Sequence, residues 1–111
     1  MPTERYTSPD GMFTLFVDPA DDTIGFEAHF WRIHVDQLTN FRIDPPIATV
    51  TQLLAALVDR RLVVVISRFD DTGDAIRDVW ISHDPVAEKQ CSDEGESLEF
   101  RYWDGAVSAT A

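Results

Sequence analysis

Apolar residues keep two rhythms along this chain, and together they outline its elements. One is helical: Val50, Leu53, Leu54, Leu57 and Val58 recur at i, i+3, i+4, i+7 and i+8, a single stripe. Thr49 stands three residues before Gln52. At that spacing the threonine oxygen takes the Gln52 N–H while the glutamine side chain reaches back. A helix is therefore predicted from Val50 to about Arg60, its stripe against a sheet.

The other rhythm has period two. Met12 to Val17 places Phe13, Leu15 and Val17 on one face. Thr23 to Trp31, running on towards His34, pairs with it across the polar Asp18–Asp22 connection. Leu62 to Ile66 is apolar on both faces and reads as a central strand covered on both sides. Asp70-Asp71-Thr72-Gly73-Asp74 turns it into a second strand, Ala75 to Ser82, and Ser97 to Trp103 is the last. Shorter signals fill the gaps. Asp36 suits the cap of one helical turn over Val35–Asn40, Pro45-Pro46 interrupts regular structure, and Asp84-Pro85 opens a short helix through Lys89.

The expected architecture is α+β: a mostly antiparallel five-stranded sheet in the order β-β-α-β-β-β, with one main helix on one face. Residues 11–105 form its single domain, after a flexible N-terminal segment (1–10) and before a frayed tail (106–111).

The strand rhythm also sets out candidate binding residues. Trp31, Trp80 and Trp103 each share a period-two face with polar groups: Glu27, His29 and Trp31; Asp78, Trp80 and Ser82; Glu99, Arg101 and Trp103. The opposite faces, Phe26, Ala28 and Phe30, then Val79 and Ile81, then Leu98, Phe100 and Tyr102, read as core. In one sheet the polar faces gather three indoles among Asp78, Glu99 and Arg101, a surface suited to a partner offering a cation or an aromatic group. The competing expectation is that the tryptophans are simply covered.

Charge narrows the partners. The formal net charge is −11, from 20 acidic and 9 basic residues. Such an excess repels nucleic-acid backbones and anionic membranes and is compatible with a basic protein partner or with solubility alone. The lone Cys91 cannot form an internal disulfide, and the polar start lacks the apolar run of a signal peptide, so a cytoplasmic location is expected.

Chemical signatures are sparse. His29 beside Glu27 is the best catalytic-looking pair, since a carboxylate two residues along a strand can hold an imidazole tautomer. His29 and His34 would point to opposite faces, the wrong spacing for a metal. Asp70, Asp71 and Asp74, like Asp18, Asp21 and Asp22, read as turn residues rather than calcium ligands, because the spacing of an EF-hand loop is missing. No phosphate-binding glycine loop or nucleophile elbow is written in the chain, and no cofactor is expected. The sequence thus favours a non-enzymatic protein-binding module, of inhibitor or immunity type, using a tryptophan face and an acidic rim of Asp93, Glu94 and Glu96. The alternative is a small-molecule or catalytic pocket around His29 and Glu27, and a homodimer through the same face is a third use.

Overall fold

The computed structural model describes residues 2–69 and 75–107. It is a small α+β fold with two antiparallel sheets. The first runs in the order β1-β2-β3-β4, formed by Glu4–Thr7, Thr14–Asp18, Thr23–Phe26 and Arg32–His34. The second is β6-β5-β7, from Ile76–Ser82, Val63–Phe69 and Glu96–Arg101. The five-stranded single sheet expected from the sequence is therefore corrected to four strands plus three.

Two local causes divide the chain this way. The expected long strand Thr23–Trp31 ends at Phe26, because Ala28 takes a positive φ of 69° and His29 N–H donates to the Phe26 carbonyl at 3.3 Å. This turn sends residues 32–34 back beside β3, with Gly25 opposite Arg32. The segment expected to be flexible through residue 10 also supplies a strand. Ser8 is buried, its hydroxyl accepts from Phe13 N–H at 3.0 Å and donates to Asp10 at 2.8 Å, and that knot folds β1 onto β2.

The two α-helices start where their sequence signals place them. Thr49 and Gln52 form the reciprocal cap of α1 (Val50–Val58), with Gln52 N–H to Thr49 Oγ1 at 3.2 Å and Thr49 N–H to Gln52 Oε1 at 3.1 Å. Asp84 caps α2 (Pro85–Gln90) by accepting from Ala87 N–H at 3.1 Å. Val35–Asn40 is a 3-10 helix capped at His34, whose N–H donates to Gln37 Oε1 at 2.7 Å, so Asp36 lies within the first turn and is not the expected cap. Along α1 the buried side is Leu53, Ala56 and Leu57, while Val58, placed on the stripe by its spacing, lies outside.

One main core joins both sheets to α1. Phe13, Leu15, Val17, Ile24 and Phe26 meet Leu53, Ala56 and Leu57 from the helix and Val64, Ile66, Val79 and Ile81 from the second sheet. A smaller cluster, Val63, Val65 and Phe100 with Trp80, Leu98 and Tyr102 against it, covers the other side of β5. The central strand is thus buried on both faces, as its apolar run requires. Among the described residues no helix is long and apolar enough to cross a membrane.

Gly25 controls how β4 lies. Arg32 passes over it so that its guanidinium sits 4.6 Å from the centre of the Phe16 ring, in a row Phe16–Gly25–Arg32 across three strands. A Cβ at Gly25 would meet Arg32 Cδ at 2.6 Å and the Trp31 carbonyl oxygen at 2.8 Å. Gly25→Ala is expected to destabilise the fold by about 1–3 kcal/mol through overpacking, read as a lower urea midpoint at unchanged slope. An unchanged midpoint would show that β4 shifts freely.

Candidate functional site

The turn and the edge strand β6 meet at one carboxylate. Asp78 Oδ1 accepts backbone N–H groups from Phe30 at 2.9 Å, Trp31 at 3.2 Å and its own neighbour Val79 at 2.9 Å. Phe30 and Trp31 would otherwise leave two amides unpaired where the chain enters β4. Asp78, expected on a binding face, is therefore a joint between the sheets. A register shift between Ser67 and Arg68 lies beside it on β5, and such irregularities re-aim side chains near a strand edge.

Beyond that joint lies a cavity of about 260 Å³ lined by Trp31, Ile33, Phe41, Trp80, His83 and Glu88, among others. Trp31 comes to it from the main core, its ring 6.0 Å from that of Phe26. Trp80 comes from the smaller cluster. Phe41, just past the 3-10 helix, meets His83 edge-on at 6.2 Å. Helix α2 returns Glu88 over β6, where its Oε2 accepts the Trp80 indole N–H at 3.2 Å. Two expected binding residues, Trp31 and Trp80, are thus brought together with Phe41, His83 and Glu88, which sequence reasoning missed. The cap-and-proline start at Asp84-Pro85 held a usable signal: one helical turn from Asp84 comes Glu88.

Trp103 does not join them. It is 6% exposed and belongs to the main core. The reason is register. Val64 opposes both Ile81 and Arg101, and Ile66 opposes both Val79 and Glu99. Residues Glu99 and Arg101 therefore share a side with core-facing Val79 and Ile81, whereas Phe100 shares the side of Trp80. Alternation holds along β6 and β7 but their registers part the expected faces, and the first segment leaves its strand after Phe26, so the expected face of three indoles is not formed. Phe30, read as core, is 82% exposed at the turn.

The remaining candidates are held by partners. Glu99 pairs with Arg68 at 3.0 Å and with Arg101, whose Nη1 also donates to the Gly105 carbonyl at 2.9 Å. Glu27 is exposed and paired with Arg5 on β1. His29 is half-buried near Asp78 and Arg32. Burial lowers its pKa below the ordinary 6.5, Asp78 opposes this, and Arg32 adds to it. Among the described residues no hydrogen bond joins His29 to Glu27, whose carboxylate is instead paired with Arg5. His34 lies apart, in a hollow with Asp21, Asp22 and Asp36. Among the described residues no group of three or more His, Cys, Asp or Glu is placed to hold a metal ion. The aspartates of 70–74 lie outside the described residues.

The expected acidic rim is also partly consumed. The Glu96 side chain is 5% exposed and takes Arg77 at 2.7 Å, the Ser67 hydroxyl and the Asp93 N–H at 2.9 Å. Burial alone would raise its pKa, but the bonds from Ser67, Asp93 and Arg77 outweigh it and hold the carboxyl below its ordinary 4.5. Asp93 and Glu94 remain exposed.

No protein-family model, curated protein or solved structure matches this chain.

Two predictions follow the chemistry of these carboxylates. Asp78→Ala removes the acceptor of the half-buried Trp31 amide, while the Phe30 amide at the exposed turn can bond water. The substitution is expected to cost about 1–2 kcal/mol, whereas Asp78→Asn, which keeps an acceptor oxygen, should cost less. Equal urea midpoints for Asp78→Ala and the parent chain would refute the joint. Glu96 has a depressed folded pKa, so its stabilisation is complete above pH 4.5 and is lost as pH falls through the folded value. His29 adds a loss on acidifying below 6.5, since the unfolded chain takes the proton first. Unfolding free energies measured from pH 7 to 3 should decline, and Glu96→Gln should flatten the limb below 4.5. A limb of unchanged slope in that variant would count against the Glu96 assignment.

Proposed function

We propose that this protein is a non-enzymatic protein-binding module whose contact site is the Trp31–Trp80 groove, with Asp93 and Glu94 as an acidic rim. The observation that carries the reading is the convergence of two half-buried indoles from different sheets on one open cavity. Tryptophan is enriched where partners bury their anchors, because a large rigid side chain offers much contact for little entropy. At about 260 Å³ the cavity falls below the roughly 300–1,000 Å³ of small-molecule sites and suits a single inserted side chain.

Charge supports a basic partner. Arg5, Arg60, Arg68, Arg77 and Arg101 are ion-paired within the fold, so much of the positive charge is neutralised internally. With a net charge of −11, the outward field is negative and favours association with a cationic surface. An inhibitor or immunity-type protein, acting in the cytoplasm on a basic target, fits this description.

The test is affinity capture by the immobilised chain at low and high salt, against two variants. Trp31→Ser with Trp80→Ser should abolish retention of specific proteins. Asp93→Lys with Glu94→Lys should weaken it and reduce its salt dependence. Retention of the same proteins by the double tryptophan variant would reject the groove as the contact site.

A further inference from the structure

We propose that the groove accepts an arginine side chain of the partner, its guanidinium against the indoles and its charge facing Glu88. This rests on the groove being the contact site and specifies the chemistry of the anchor. The first ground is Glu88 itself. It is half-buried, its carboxylate is oriented by the Trp80 indole N–H, and among the described residues no cation is paired with it. Lys89 is its neighbour on α2, but adjacent positions on a helix do not face each other. A carboxylate withdrawn from water beside aromatic walls attracts a cation more strongly than one in bulk solvent.

The second ground is how this chain uses its own arginines. Arg32 lies 4.6 Å from the Phe16 ring centre, Arg60 4.9 Å from Tyr102 and Arg77 4.8 Å from Phe69. Tryptophan is the best cation–π acceptor, yet among the described residues no cation lies over Trp31 or Trp80. The groove therefore combines two half-buried indoles with a carboxylate that has no counter-charge among the described residues. A flat, weakly hydrated guanidinium suits those walls better than a compact, strongly hydrated ammonium. Glu88 Oε1, with no hydrogen bond among the described residues, is the acceptor for its N–H donors.

Spectra of the full chain, labelled at the indole nitrogens, test this. The probes are N-acetyl-arginine N-methylamide and its uncharged citrulline isostere, at constant ionic strength and pH 8, above the ordinary histidine range. The Nε1–H signals of Trp31 and Trp80 should move with the arginine probe, while that of Trp103, inside the core, stays in place. The citrulline probe should bind at least about tenfold more weakly, a difference of roughly 1.4 kcal/mol. Glu88→Gln keeps an acceptor for the Trp80 indole and removes only the charge, so it should erase the preference for arginine. Equal binding of the two probes, or a preference that survives Glu88→Gln, overturns the arginine anchor and leaves the groove as an uncharged side-chain site. No movement of either indole with either probe overturns the anchor and the groove reading together. The comparison of probes on the parent chain needs no variant to fold.

Discussion

Three backbone N–H groups converge on one oxygen of Asp78, and the arrangement of this fold around its groove depends on that convergence. Each sheet has an edge at the junction, β4 on one side and β6 on the other. Edges carry unpaired polar backbone, and an amide left without a partner away from water costs about 1–3 kcal/mol. Here a side chain supplies the acceptor that a neighbouring strand would have supplied. Because Asp78 holds the turn at Phe30 and Trp31, it also fixes where the Trp31 indole enters the cavity. A long-range bond across 47 residues thus sets the geometry of the candidate site.

The same economy runs through the charges. Part of the acid has a structural use: carboxylates cap α2, orient the Trp80 indole and neutralise arginines that lie along the strands. Glu96 is the extreme case, nearly excluded from water yet kept ionised by the donors around it. Glu88 differs because its one bond within the described residues comes from a neutral indole. Among the described residues the other buried and half-buried acids are matched to cations or amides, and that difference marks the groove.

Much of the fold was legible along the chain. Capping chemistry is local, so Thr49 with Gln52 and Asp84 with Pro85 announced two helices at their observed starts. The apolar run at Val63–Ile66 required cover on both faces and has it, from the main core on one side and the Phe100 cluster on the other. The break after Phe26 was not legible. Alternation continues through Glu27–Trp31, and only the positive φ at Ala28, together with the Asp78 bond beyond it, turns that pattern into a corner. Sequence carried no mark of it, because alanine is not a residue that favours such a conformation.

What the sequence determined by itself was therefore the two capped α-helices, the course of β2, β5, β6 and β7, and the negative charge balance. Those properties arise from neighbours a few residues apart. Tertiary structure alone decided which sides of different strands coincide, since a register changed by a single residue exchanges every side chain between faces. By that rule Glu99 and Arg101 came to the side of Val79 and Ile81 while Phe100 joined Trp80, and Trp103, in the turn just past β7, went into the core. The candidate site follows from the same long-range choice: Trp31, Trp80 and Glu88 are brought together by how edges and a helix pack, and no local rhythm encodes that meeting.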